Sequence, residues 1–83
     1  MRVSLAEVRA MFDGLLAGGS REAASAWAVA RMQATDAGGL TYDPPDAEAR
    51  IWDAITFLGG ADLVTDMVGS YLYGPIDFEG YRP

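Results

Sequence analysis

Apolar residues recur at helical spacing in the first sixteen positions of the chain. Ser4 is a good helix N-cap, and Glu7 three positions later completes a capping box. Val3 and Val8 stand where a hydrophobic staple would form. Gly18 and Gly19 then end the pattern, because glycine readily takes the left-handed conformation that closes a helix. The sequence predicts a first helix whose inner face carries Leu5, Val8, Met11, Phe12, Leu15 and Leu16.

A second helix is predicted from the cap Ser20 to about Thr35. Ala23, Trp27, Ala30 and Ala34 align at spacings of three and four and define its expected inner face. Methyl groups on this stripe would let a neighbouring helix approach closely, while the indole fills the remaining gap.

The break between Asp36 and Asp46 contains a short extended piece over residues 40–42, and a third helix follows it. Asp43 is its expected N-cap and Pro44 its first residue, where a missing N–H has no consequence. The helix is expected to run to about Leu58, with Trp52 and Phe57 on either side of its main stripe. Its second half is therefore apolar around most of the circumference, as in a central helix or one with a partner. The main stripe is Ala47, Ile51, Ala54, Ile55 and Leu58.

The C-terminal third has a weaker pattern. A short fourth helix is predicted over residues 61–67, an extended piece over 70–73, one helical turn over 76–79 and a tail from Gly80. The expected fold is all-α: a small three- to four-helix bundle with an irregular aromatic C-terminal segment on the outside. Residues 1–83 are expected to form a single helical domain.

Charge divides the chain into two unlike parts. Its net charge of −6 combines +1 for residues 1–35 with −7 for residues 36–83, where seven of the nine aromatic residues also lie. Carboxylates steer a basic partner, and Tyr and Trp are common interface anchors. The plainer reading is that the acids maintain solubility while the aromatics fill the core.

Missing residue types exclude much chemistry. The chain has no Cys, His or Lys, which removes thiol nucleophiles, zinc-thiolate sites, the usual general base and Schiff-base formation. We therefore expect that the protein is not an enzyme and that it binds no cofactor. Asp43, Asp46 and Glu48 are interpreted as acids at a helix N-terminus, with a weak calcium or magnesium site as the alternative, since the calcium-loop spacing is absent. Without a basic patch, direct nucleic-acid binding is not expected.

Neither a targeting sequence nor a membrane-spanning segment is expected. Glu7, Arg9 and Asp13 interrupt any apolar stretch near the N-terminus, so a signal peptide is not predicted. No window approaches the roughly 18 apolar residues of a membrane span. The predicted location is the cytoplasm, without membrane association.

Several stretches in the acidic half resemble small acidic bacterial proteins that accompany toxins. They are residues 51–63 (IWDAITFLGGADL), 69–73 (GSYLY) and 76–78 (IDF). The resemblance is to immunity proteins of bacteriocin and contact-dependent toxin systems, loosely the helical colicin-D type. It implies a helical bundle whose acidic, aromatic face plugs a basic toxin active site. The Gly- and Pro-broken C-terminal region departs from that pattern. The positions implied are Asp53, Asp62, Asp66, Tyr71, Tyr73 and Asp77.

The expected function is non-catalytic binding that neutralises a cognate basic protein toxin, such as a nuclease, by occluding its active site. Asp62 and Asp66 would share a helix face, where two like charges favour a cationic partner. Alternatives are a small homo-oligomeric structural or regulatory subunit, such as a homodimer formed through the third helix, or a phage-type nucleic-acid-mimic inhibitor. The full set of candidate partner-binding residues is Asp43, Asp46, Glu48, Asp53, Asp62, Asp66, Tyr71, Tyr73 and Asp77.

Overall fold

Four α-helices and two short strands make up residues 1–62 and 73–83, the part of the chain that our computed structural model describes. The all-α prediction is confirmed, with a minimal sheet added to it. The buried apolar residues form one cluster, to which every helix contributes. In chain order the elements are β1 (Arg2–Ser4), α1 (Leu5–Leu16), α2 (Arg21–Asp36), β2 (Thr41–Asp43), α3 (Glu48–Leu58) and α4 (Pro75–Tyr81).

Helix α1 begins with the predicted capping box. The Glu7 amide donates to Ser4 Oγ at 3.0 Å, and the Ser4 amide donates to Glu7 Oε1 at 3.2 Å. These bonds satisfy backbone groups that the first turn of a helix leaves without partners. Val3 and Val8, which flank the box, are fully buried. Gly18 has a φ of +91°, so the predicted glycine termination is confirmed.

Strands β1 and β2 form a two-stranded parallel sheet in which Val3 pairs with Tyr42. The sequence analysis predicted a short extended piece here but not its pairing. Segments of three residues are too short to show an alternating pattern. The pairing fixes the second strand beside the start of α1. It also determines where Tyr42, at the centre of β2, lies relative to α3.

Helix α2 is rotated from its predicted orientation. Its buried residues are Ala24, Ser25 and Ala28, whereas the predicted inner residues Ala23 and Ala30 are exposed. Contacts with the end of α3 explain the rotation: the Ser25 hydroxyl donates to the Gly59 carbonyl at 2.8 Å. The apolar pattern did not include Ser25 because serine is polar, so the sequence analysis placed the buried face of α2 on other residues.

Helix α3 begins later than predicted, and Asp43 is not its N-cap. Asp43 belongs to β2, and its carboxylate lies 3.9 Å from the Arg2 guanidinium. A 3₁₀ turn over Pro45–Ala47 follows, and the α-helix starts at Glu48 without a side-chain cap. Sheet pairing takes up the Asp43 backbone, which moves the helix start downstream. The predicted stripe is confirmed, since Ala47, Ile51, Ala54, Ile55 and Leu58 are all buried.

Phe57 is the centre of an aromatic cluster that joins three helices. Its ring is stacked on Phe12 at a centroid distance of 5.9 Å and on Tyr81 at 4.1 Å. The Phe78 ring meets it edge-on at 6.0 Å, and Tyr73 lies tilted at 4.7 Å. Aromatic pairs in these geometries add stabilisation beyond the apolar area they bury.

The C-terminal segment differs from its prediction in two ways. Helix α4 covers Pro75–Tyr81, longer than the single turn expected, and Phe78 is 1% exposed rather than on the outside. The ring is buried because it packs against Phe57. Of the fourth helix predicted over residues 61–67, Ala61 and Asp62 lie in a turn, and the remainder is outside the described residues.

Arg21, at the start of α2, is bonded to two separate parts of the chain. Its Nη1 donates to the Ala61 carbonyl at 3.3 Å and also to the Tyr73 carbonyl. Its guanidinium carbon lies 4.9 Å from the centroid of the Phe78 ring. One side chain therefore connects the turn after α3 with the segment that leads into α4.

The end of the chain is attached to α1 by an ion pair. Arg82 Nε donates to Asp13 Oδ1 at 2.8 Å, and Nη2 donates to Oδ2 at 3.1 Å. The hydrogen bond from Arg82 lowers the pKa of Asp13, and the same bond raises the pKa of Arg82. The residues predicted as a tail are thus held in place.

The lowered pKa of Asp13 predicts a pH-dependent contribution to stability. A carboxylate with a depressed pKa stabilises the fold above its unfolded-state pKa, near pH 4. The contribution is lost as the pH falls through the folded-state value. We expect Asp13→Asn to melt slightly below the wild type at pH 7. The two melting temperatures should converge below about pH 4. A difference that persists at low pH would contradict this assignment.

Candidate functional site

A groove between β2, the end of α2 and the first turns of α3 brings carboxylates and aromatic rings together. We call it the acidic groove. Its volume is about 400 Å³, and its lining is Thr35, Tyr42, Glu48, Ala49, Trp52 and Asp53. Three elements supply the walls: Thr35 comes from α2, Tyr42 from β2 and the other four from α3.

Helical spacing explains how α3 contributes two acids and an indole to one wall. Positions 48 and 52 are four apart and 49 and 53 likewise, so their side chains lie on adjoining parts of the helix surface. The opposite side of α3 carries the buried stripe, which fixes the helix against the core. Glu48 and Asp53 are exposed, whereas Trp52 and Tyr42 are half-buried. The rings are thus held by packing while the carboxylates remain in solvent.

Neither carboxylate of the acidic groove forms an ion pair within the part of the chain that the structure describes. Within residues 1–62 and 73–83, the ion pairs are Arg2 with Asp43 and Arg82 with Asp13. Arg50 lies on the same helix and lines a neighbouring cleft, which Asp53 also borders, but it forms no ion pair with either carboxylate. The groove therefore combines two aromatic surfaces with two carboxylates that have no ion-pair partner in the described residues.

Asp43 and Asp46 lie close to the acidic groove in the sequence but do not line it. Asp43 is half-buried in β2, one residue after Tyr42, and is paired with Arg2. Asp46 is exposed in the 3₁₀ turn just before Glu48. Both carboxylates extend the negative charge around the groove. Asp43 is paired with Arg2, whereas Asp46 has no ion-pair partner in the described part of the chain.

The remaining candidates are dispersed, and some have structural roles. Asp77 Oδ2 accepts a hydrogen bond from the Gly74 amide at 2.9 Å and so caps α4. Tyr73 packs on Phe57, and Asp62 lies in the turn after α3. Asp66 and Tyr71 fall outside the described residues. Of the nine candidates, the structure brings Glu48 and Asp53 together in the acidic groove, and Asp53 and Tyr73 together in a second cleft.

A second, larger cleft lies on the other side of Asp53. Its volume is about 580 Å³, and Arg50, Phe57, Tyr73, Tyr81 and Arg82 contribute to its walls. We call it the aromatic cleft. Its two guanidinium groups give it a different electrostatic character, and one of them is engaged by Asp13. Asp53 lines both clefts and marks the boundary between them.

The sequence analysis did not name the two aromatic residues of the acidic groove, Tyr42 and Trp52, as site residues. Both were recognised as aromatics of the acidic half, and Trp52 was placed at the edge of the α3 stripe. The position of Trp52 at the edge of the stripe was the available signal for a site residue, because a half-buried indole there keeps part of its ring exposed for contact with a ligand. Tyr42 gave no such signal, since its position depends on the pairing of β1 with β2.

No cluster of three or more metal-ligating side chains occurs within residues 1–62 and 73–83. Over these ranges, no helix combines the length and apolar character needed to cross a bilayer.

The fold and groove define a small all-α protein with an acidic, aromatic recess. No family model matches the chain, no curated protein matches it, and no solved structure does.

Proposed function

We propose that this protein is a non-catalytic binding protein that neutralises a basic protein partner by covering its active site. The acidic groove is the observation that carries the proposal. Glu48 and Asp53, which form no ion pair within residues 1–62 and 73–83, would attract a cationic surface. Trp52 and Tyr42 would supply apolar contact beside them. Long-range attraction of this kind mainly accelerates association and selects the partner.

A toxin is the partner that this mechanism serves best, and a toxin that acts on nucleic acid fits it closely. Such an enzyme has a cleft lined with cations that bind phosphates. Carboxylates inserted there would occupy the positions of substrate phosphates and block access. On this proposal the protein is an immunity protein and acts in the cytoplasm of a bacterium that makes the toxin.

One feature of α3 favours a foreign partner over self-association. The apolar flank that suggested a homodimer includes Phe57, which is only 8% exposed. Phe12, Tyr73, Phe78 and Tyr81 cover its ring within the same chain. This flank of α3 therefore leaves less exposed apolar surface for contact with a second copy of the chain than the sequence pattern indicated.

Partner capture with a charge-neutralised variant tests the proposal. The tagged wild type should recover a basic protein from a lysate of the source organism at low salt, and less of it at moderate salt. Glu48→Gln/Asp53→Asn should recover little of it at either salt. The captured protein should arrest growth when expressed alone, and co-expression of the wild type should restore growth.

A matched variant separates the groove from overall charge. Glu22→Gln/Glu79→Gln also removes two negative charges, at exposed positions that do not line the acidic groove. It should capture and protect as well as the wild type. Equal loss in both double variants would show that net charge alone is responsible. If light scattering shows that the protein self-associates, and no foreign partner is captured, the results would instead support the homo-oligomer.

A further inference from the structure

We infer that the acidic groove binds the side chain of one arginine residue on the partner, with the guanidinium between the aromatic walls and the carboxylates. The inference rests on the proposed function, since it specifies which group of a basic partner enters the groove. The walls define the chemistry: Trp52 and Tyr42 provide planar π-surfaces, and Glu48 and Asp53 provide acceptors.

Charge complementarity favours a cation in this position. No cation of residues 1–62 and 73–83 lines the groove: Arg50 lines the aromatic cleft, which Asp53 also borders, and Arg2 pairs with Asp43. A guanidinium that enters the groove could form charge-assisted hydrogen bonds to Glu48 or Asp53. Because both carboxylates are exposed in the free protein, they remain hydrated and incur no burial cost until the partner arrives.

The aromatic walls favour arginine over lysine. A guanidinium is planar and weakly hydrated, so it can stack on an indole while its edge donates hydrogen bonds. An ammonium is compact and strongly hydrated, and it has no flat face to place against a ring. The chain already shows this geometry once: the Arg31 guanidinium carbon lies 3.9 Å from the centroid of the Trp27 ring.

The dimensions of the groove suit a long side chain. Its volume of about 400 Å³ lies within the range of roughly 300–1,000 Å³ that is usual for binding pockets. Thr35 and Ala49 contribute only small groups to the lining, which leaves room for the aliphatic stem as well as the guanidinium. Stems of this kind commonly lie along apolar surface with the charged end in a polar site.

A titration of the unaltered chain with model compounds tests the inference. N-acetyl-argininamide is the probe, and N-acetyl-citrullinamide, its neutral near-isostere, is the control. The readout is the pair of indole N–H signals in a ¹H–¹⁵N spectrum. We expect the argininamide to shift the Trp52 signal in a saturable way, with a Kd of millimolar order, and to leave the Trp27 signal unchanged. The citrullinamide should shift neither.

Variants make the outcome decisive. Glu48→Gln/Asp53→Asn should abolish the Trp52 shift, and Glu22→Gln/Glu79→Gln should retain it. Equal shifts with N-acetyl-lysinamide or with the citrullinamide would overturn the arginine assignment, as would an unchanged response in the groove variant. If no probe binds but the groove variant still fails to capture the partner, the inference fails and the proposed function stands. If the argininamide binds and the groove variant captures normally, the proposed function fails.

Discussion

Replacing Phe57 with alanine is expected to lower the free energy of unfolding by about 3–5 kcal/mol. The ring is 8% exposed and contacts four other aromatic rings on α1, α4 and the segment before α4. Its removal leaves a cavity where three helices meet, and the ring contacts with Phe12 and Tyr81 are lost. Because a domain of this size has a margin of about 5 kcal/mol, a large share of the variant should be unfolded at 37 °C. Urea denaturation followed by circular dichroism measures the change.

Ile76→Ala is the matched control for this experiment. Ile76 is also a large apolar residue, but its side chain is 85% exposed on α4. Its truncation removes little buried area and should change the free energy of unfolding by less than about 0.5 kcal/mol. Similar denaturation midpoints for Phe57→Ala and Ile76→Ala would show that the aromatic cluster does not hold α4 to the other helices.

Replacing Arg21 with methionine is expected to lower the free energy of unfolding by about 2 kcal/mol. Methionine retains an unbranched apolar stem but removes the hydrogen bonds to the Ala61 and Tyr73 carbonyls. The cation–π contact with Phe78 is lost as well. Since these contacts hold the segment that leads into α4, amide hydrogen exchange in α4 should accelerate more than exchange in α1.

Arg50→Met is the corresponding control, because Arg50 is exposed on α3 and has no ion pair within residues 1–62 and 73–83. It should unfold within about 0.5 kcal/mol of the wild type. If the two arginine variants behave alike, or if Arg21→Met accelerates exchange equally in α1 and α4, Arg21 does not act as a connection between these segments.

Local signals determined how much of the fold was predictable. The capping box at Ser4 and Glu7 and the stripe of α3 are patterns within one helix, and both were correct. The orientation of α2 was wrong because a serine, Ser25, lies at the contact with Gly59. The predicted start of α3 was wrong because Asp43 pairs with β1 in a two-stranded sheet. Strands of three residues are too short to be recognised from the sequence. Each error arose where a contact distant in sequence overrode a local preference.

The candidate site shows the same limit. Glu48 was named from its charge and Asp53 from the resemblance to immunity proteins, and the structure places both in one groove. Asp77 has the same composition signal, yet its carboxylate caps α4. Composition can identify the acidic half of the chain. Which acids share a recess with Trp52 and Tyr42 depends on the packing of β2 against α3, which no single segment encodes.

The salt dependence of partner affinity, compared between the wild type and Glu48→Gln/Asp53→Asn, tests the acidic groove most directly. Titration calorimetry of the captured partner at several salt concentrations provides it. We predict that the groove variant binds at least about tenfold more weakly at low salt and with a shallower salt dependence, whereas Glu22→Gln/Glu79→Gln keeps the wild-type affinity. Equal affinities and equal salt dependence in the wild type and the groove variant would contradict the proposal that this groove binds the partner.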